Sequence, residues 1–362
     1  MVRSAMIAAL VAAFVSTVSA QTSTECQPLN ETCSPDPALS TTHTWNLSSS
    51  SQLDTTAWSI TNGVMNYTED ALGFTINKKM DSPTIRSNFY IFWGRMEYHV
   101  RAAPGHGVIS SVVLESDDLD EVDWEWVGSE GMHVQSNWFG KGQTIANTGV
   151  THNLTSNATL DFHNYTTWWD SDKLEWWYDG TLLRTVTYED ATNSSGTWYP
   201  QTPVTIRMGI WPGGDPSQPE GRIIWAGGEI DYNAGPYTMY VSQILAQDFS
   251  TGKEYNYTNH SGDWQSIAIV PGNSTIEKEL NKVHLSTAQK WDRMSEGSRI
   301  AIIVVASAVV GTGAIVFLFC CIRQRRIGKR EWNIQNNKWV EERTEMMNMQ
   351  AEWRQKGYVE MK

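Results

Sequence analysis

The sequence predicts an all-β fold of the sandwich or jelly-roll type, and three observations predict it. Short runs rich in Val, Ile, Thr, Tyr and Trp fill residues 53–246, turns of Gly, Asn, Asp and Pro separate them, and no helical period of any length intervenes. With no internal repeat, such a chain organises its strands around one core, and a single core of this size is ordinary for sandwiches and barrels. Five runs stand out. They begin at Phe89 (FYIFWGRMEYHVRA), Gly107 (GVISSVVLES), Lys173 (KLEWWYDGTLLRTVTY), Thr202 (TPVTIRMGIW) and Tyr237 (YTMYVSQILA). Residues 173–188 read as a hairpin, because Asp179-Gly180 supplies the residue pair that a tight turn between strands favours.

The segments before and after these strands carry addresses. Residues 1–20 place Arg3 ahead of an apolar run and finish on Val18-Ser19-Ala20, the small-residue pattern of a cleaved signal peptide; the apolar stretch 5–18 is too short to span a bilayer comfortably. The mature chain is therefore expected to begin near Gln21. The expected order is a β domain over 21–272, a polar Lys/Glu-rich stalk over 273–299, a transmembrane helix over 300–322 and a tail over 323–362. The 300–322 run is uncharged and 23 residues long, which suffices to cross a hydrocarbon core of about 30 Å. Arg323, Arg325, Arg326, Lys329 and Arg330 follow it, so the positive-inside rule puts the tail in the cytoplasm and the β domain outside, a single-pass arrangement at the plasma membrane. A glycolipid-anchor signal fits less well, since such a signal ends with its apolar tail.

Asn30, Asn46, Asn66, Asn153, Asn157, Asn164, Asn193, Asn256, Asn259 and Asn273 each open an Asn-x-Ser/Thr triplet, and none of the four tail asparagines does. That bias matches a glycosylated outer face. Cys26 and Cys33 are the only cysteines of residues 21–299, close enough to close a small disulfide loop in an oxidising compartment and pin the N-terminus. Cys320 and Cys321, at the cytoplasmic edge of the span, stand open between palmitoylation and plain helix packing. The tail, with Trp332, Trp339 and Trp353 among many charges, stands open between a helix on anionic lipid and a soluble disordered segment. The net charge is −13; signal peptide and tail hold +1 and +4, which leaves −18 on the outer part. Such a surface repels polyanions, so nucleic acid is excluded as a partner and a neutral or cationic polymer is favoured.

The chemistry is concentrated in Asp120-Glu121-Val122-Asp123-Trp124-Glu125-Trp126. In a strand, Glu121, Asp123 and Glu125 project from one face and Val122, Trp124 and Trp126 from the other. Three acids on one face repel, a cost that a purely structural strand has no reason to carry. Crowding raises at least one pKa, which sets an acid that keeps its proton beside a base that does not. Glycoside cleavage with retention uses such a pair, its carboxyl groups about 5 to 5.5 Å apart. Residues i and i+4 of a strand lie roughly 13 Å apart at Cα, so Glu121 and Glu125 must lean together over the sugar. Asp123, between them, is placed to hydrogen-bond the nucleophile. A calcium site and a solvated acidic edge strand are the rival readings, and the apolar alternate face argues against the second.

DEVDWEWVG resembles the Glu-x-Asp-x-Glu signature of glycoside hydrolase family 16, most of all its fungal Crh branch of cell-wall chitin–glucan transglycosylases. The likeness runs through CQPLNETCSPDPAL, VQSNWFGKG, FHNYTTWWDSDKLEWWYDG and GIWPGGDPSQPEGRIIWAGGEIDY, over roughly residues 26–246. It implies a β-jelly roll with a concave glycan cleft, Glu121 as nucleophile, Asp123 as its helper and Glu125 as acid/base. It also implies chitin and β-glucan polymers as partners, with no cofactor and no metal. The Cys-rich chitin-binding module of some relatives is missing, and a transmembrane helix stands where the branch commonly has a glycolipid anchor. Fifteen of the 18 Trp lie outside the tail, more than a core of this size requires, so some are expected to stack on sugar rings. Trp211 and Trp225, in Gly-rich segments that resemble the family's cleft strands, are the candidates, with Gln135, Asn137 and Lys141 as polar contacts. Water as the incoming group makes the enzyme a plain hydrolase, and a sugar hydroxyl makes it a transglycosylase. A lectin on the same fold and a membrane sensor are the readings from other classes.

Overall fold

A computed structural model describes residues 23–143, 148–194, 196–282 and 291–357, so the signal-peptide expectation lies outside the described residues. The chain divides into two compact units, Met1–Lys282 and Val283–Lys362.

Two large antiparallel sheets form the body of the first unit, beside a small three-stranded sheet (Asp36–Pro37, Glu254–Tyr257 and Ile267–Val270) and a two-stranded one (Thr192–Asn193 and Gly196–Thr197). One has seven strands in the order Val150–Asn153, His133–Phe139, Glu121–Val127, Ile109–Ser116, Val204–Trp211, Thr84–Ser87 and Trp58–Asn62. The other has eight, running from Thr181–Thr187 through Lys173–Tyr178, His163–Trp169, Gly94–Arg101, Tyr237–Asp248 and Leu72–Ile76 to Met65–Tyr67, with Thr42–Asn46 also paired to Tyr237–Asp248. All five runs singled out in the sequence contribute strands to these sheets. The expected hairpin is present, and Asp179 and Gly180 both take positive φ (44° and 78°), which matches the twist of the strands they join.

Period-two alternation decides what faces the core. Val122, Trp124 and Trp126 point between the sheets and are at most 2% exposed. The Trp124 indole N–H donates to Thr167 Oγ1 at 3.0 Å, and both tryptophans meet Tyr165 edge-on at 5.3 and 4.6 Å. Trp176, from the facing sheet, donates to the Asp123 carbonyl at 3.1 Å. Each buried indole removes some 150–250 Å² from water, about 4–6 kcal/mol of gross burial energy, and its one polar atom is satisfied in Trp124 and Trp176. The motif strand is thus locked from behind. Trp45, Trp58, Trp138 and Trp169 are buried as well, so much of the tryptophan surplus goes into the core rather than to sugar.

The expected boundary at 272 falls short of the packed domain. Ser274 caps the helix Thr275–Leu280 through the Glu277 N–H and donates to the Ala38 carbonyl, while Ile276 is buried. The start of the expected stalk therefore belongs to the domain. In the second unit, one helix, Glu296–Gln355, contains the 300–322 apolar run and continues through the tail.

Candidate active site

The strand Glu121–Val127 lies between His133–Phe139 and Ile109–Ser116, and its register places the acids among defined neighbours. Glu121 is opposite Phe139 and Glu115, Asp123 opposite Asn137 and Val113, and Glu125 opposite Gln135 and Ser111. All of these share the face turned away from the core. That face is recessed, since Asp123, Glu115, Arg207 and Trp211 on it are 5% exposed or less. Asp120 fixes where the strand starts. Its carboxylate accepts from the backbone N–H groups of Lys141, Gln201 and Thr202 at 2.9, 2.7 and 3.0 Å and from the Thr202 hydroxyl at 2.8 Å.

Burial is the largest effect on all three acids, and it pushes every one of their pKa values up. Glu121 rises only to about 7, because the Asp123 hydrogen bond and the Arg207 guanidinium pull it back. Glu125 is pushed up to about 8 by burial and by the charge of Glu121, with Arg222 opposing. Asp123 is held well above the carboxylate range by burial and by both glutamates. Burial thus favours the neutral form of all three, Arg207 and Arg222 oppose it at Glu121 and Glu125, and the hydrogen bond with Asp123 favours the charged form of Glu121 while it keeps the proton on Asp123.

The predicted binding residues separate into two groups. Trp211 ends the strand Val204–Trp211 and stacks on Trp225 at 5.9 Å and 23°, forming a small apolar floor with Ile109, Val127 and Ala226. Trp225 closes the short helix Glu220–Trp225, a correction to the strand that its segment's likeness implied, and its indole N–H donates to Gln135 Oε1 at 2.9 Å. Gln135 and Asn137 face the acids directly. Lys141 is engaged elsewhere, its ammonium donating to the Ser261 carbonyl and the Asp263 carboxylate, both at 2.8 Å, so it ties two loops together.

Sequence reasoning missed the buried ion pair Arg207–Glu115, 2.5 Å apart, beside Glu121. The signal was present. Alternation in TPVTIRMGIW and GVISSVVLES puts both charges on the non-core face, but pairing them needs the register of Val204–Trp211 against Ile109–Ser116. Arg222, with its guanidinium 5.9 Å from the Trp211 ring, is a second charge at the site that periodicity does not reveal.

Cys26 and Cys33 are joined by a disulfide. The ten sequon asparagines all lie in the first unit, and none is buried. Among the described residues, no group of three His, Cys, Asp or Glu is arranged to hold a metal ion.

Comparison with known proteins places the chain in a family. The family model described as "Glycosyl hydrolases family 16" matches residues 52–227, a stretch that contains the acidic strand, Trp211 and Trp225. Crh-like protein 3 of Aspergillus fumigatus is 47% identical over 359 residues, covering 97% of this chain and 98% of the relative. A Crh-like protein of Arthroderma benhamiae is 46% identical over 96% of this chain and 94% of its own length. Congo red hypersensitive protein 1 of Saccharomyces cerevisiae is 45% identical over 67% of this chain and 46% of its own length. Among solved structures, apo Crh5 transglycosylase superposes with a TM-score of 0.64 at 46% identity, covering 67% of this chain and all of that one. The same enzyme in complex with NAG gives 0.64 at 44%.

Proposed function

The chain belongs to the Crh-like branch of glycosyl hydrolase family 16, and from that premise we propose that it is a retaining transglycosylase using Glu121, Asp123 and Glu125 to cleave chitin-type β-1,4 glycan and rejoin it to β-glucan or chitin. The observation that supports the assignment of roles is the single recessed face that holds Glu121, Asp123 and Glu125 in register, with the hydrogen bond of Asp123 favouring the charged form of Glu121 and burial favouring the protonated form of Glu125. Glu125 protonates the leaving glycosidic oxygen as Glu121 attacks the anomeric carbon, which gives a glycosyl ester on Glu121 and a free sugar end. As the ester forms, Glu121 loses its charge, so the Glu125 carboxylate left behind no longer faces an anion. Glu125 then removes the proton from the incoming hydroxyl, and the ester breaks.

Trp211 and Trp225 offer a stacked platform at one side of the acids, with Gln135 fixing the outer ring by its hydrogen bond. A sugar resting there excludes water from the ester and presents a hydroxyl in its place. The 300–322 helix is the proposed plasma-membrane anchor, with the catalytic domain on the wall side.

The test is transfer from a chito-oligosaccharide donor to a labelled β-glucan oligosaccharide, read by mass spectrometry. Labelled hybrids are expected from the wild type, and Glu121→Gln or Glu125→Gln is expected to lower turnover at least about 10³-fold with the fold retained. Normal turnover in either variant refutes the roles. Hydrolysis products alone, whatever acceptor is offered, make the enzyme a glycosidase, and binding without turnover in the wild type makes it a lectin.

A further inference from the structure

Arg207 sits in a crowded electrostatic setting that the three-acid mechanism does not use. It is 4% exposed, lies on the recessed face two strands from the acids, and has Arg86 directly across from it in register. Like charges opposed in this way destabilise a sheet unless each has its own partner. Arg86 donates to Tyr90 Oη at 2.9 Å, and Tyr90 passes the interaction to Asp117 at 2.9 Å. Arg207 takes Glu115, which is itself opposite Glu121.

A remaining donor of Arg207 is used by a residue very distant in sequence. Its Nη2 donates to the carbonyl of Ser23 at 2.8 Å, and the backbone N–H of Ser23 acts on the Glu115 carboxyl. One peptide segment thus meets both members of the pair. Its approach is fixed just beyond Ser23, where Thr24 Oγ1 donates to the Cys26 carbonyl at 2.6 Å and Cys26 is bonded to Cys33. The loop so closed is held in turn at Pro28, whose carbonyl lies 2.6 Å from His260 Nδ1.

We infer that residues 23–26 are a fixed wall of the cleft that holds both Arg207 and Glu115, making Arg207 a positioning residue for Glu121. The inference rests on Glu121 being the nucleophile. Arg207 is the cation that favours the charged form of Glu121, and Glu115 competes for it. The Ser23 carbonyl fixes the fork of the guanidinium, so its charge is shared between Glu115 and Glu121 in one geometry. The disulfide thereby does more than tidy the N-terminus: it aims the wall. The charged and titratable groups that face Glu121 are Asp123 and Glu125 on its own strand, Glu115 on Ile109–Ser116 and Arg207 on Val204–Trp211. Behind them stand Arg86, Tyr90, Asp117 and Asp36, with Glu25 on the N-terminal segment.

The sign of the effect follows. Loosening Arg207 raises the pKa of Glu121, and the nucleophile must be ionised, so the acid limb of kcat/KM moves to higher pH. The full-length protein is compared with Arg207→Lys, which keeps the charge but loses the fork, and with a Cys26→Ser/Cys33→Ser double variant, which leaves Arg207, Glu115, Ser23 and the three acids untouched and removes only the bond that holds the wall. In both, the acid limb for transfer between oligosaccharides is expected to move up by about one pH unit, a roughly tenfold loss at a pH on that limb, with the donor KM nearly unchanged. Thermal melting of each variant checks that it is folded at the assay temperature. An unmoved limb in the folded cysteine variant overturns the role of the wall, even if its melting point falls. A shift there with none in folded Arg207→Lys overturns the route through Arg207. Full activity of Glu121→Gln would instead remove the premise, so the two failures are distinguishable.

Discussion

Glu125, the proposed acid/base, carries a cost at the scale of one residue. Its carboxyl titrates near 8 in the fold, against about 4.3 in an unfolded chain, chiefly because burial penalises the charge. Below pH 4 both states hold the proton and the group is neutral to stability. Between the two pKa values only the unfolded chain gives the proton up, so unfolding becomes easier as the pH rises, and above 8 the penalty is constant. Glu125→Gln has no proton to lose. It is therefore expected to melt like the wild type at pH 4 and higher than the wild type at pH 7, by about 1–3 kcal/mol of stability after discounting for solvent relaxation. Melting curves across that range check it, and a difference that is flat with pH would contradict the burial of this group. The same substitution should be among the most damaging to turnover, which is the trade expected where a buried carboxyl group serves the proposed chemistry at a cost in stability.

At the scale of the element, Asp120 does for the acidic strand what no hydrophobic residue can. It gathers three backbone N–H groups from two loops that are far apart in sequence. Asp120→Ala strands those donors in a buried place, so a loss of about 3–5 kcal/mol is expected, with hydrogen exchange rising first at Lys141, Gln201 and Thr202. Unchanged exchange there would mean water takes over the carboxylate's role. How far these elements can be read from sequence follows from their physics. DEVDWEW announces its two faces because a strand has a strict period of two, and Asp179-Gly180 announces its turn because few residue pairs take two positive φ angles. The helix Glu220–Trp225 is too short to show a period, and Trp225 is oriented by Gln135, 90 residues away. Lys141 looked available for sugar because nothing local reveals Asp263 as its partner. Arg207 and Ser23 meet across 184 residues, a contact that only the completed sheet defines.

For the whole molecule, the basic residues and the sequons support the proposed orientation. With ten sequons ahead of the 300–322 span and five basic residues directly after it, an epitope added after Lys362 should be reached by antibody only in permeabilised cells. Endoglycosidase treatment should at the same time lower the apparent mass. An epitope exposed on intact cells would invert the proposed topology. The Trp211–Trp225 pair has a consequence of another kind. Two indoles stacked at 5.9 Å couple their electronic transitions, and one of them is only partly buried, while many of the other tryptophans are sealed between the sheets. The molecule therefore carries its own optical reporter. If Trp225 is the proposed sugar platform, a sugar settling on it is expected to change its surroundings and its hydrogen bond to Gln135, and so to alter emission and circular dichroism before any bond is cut.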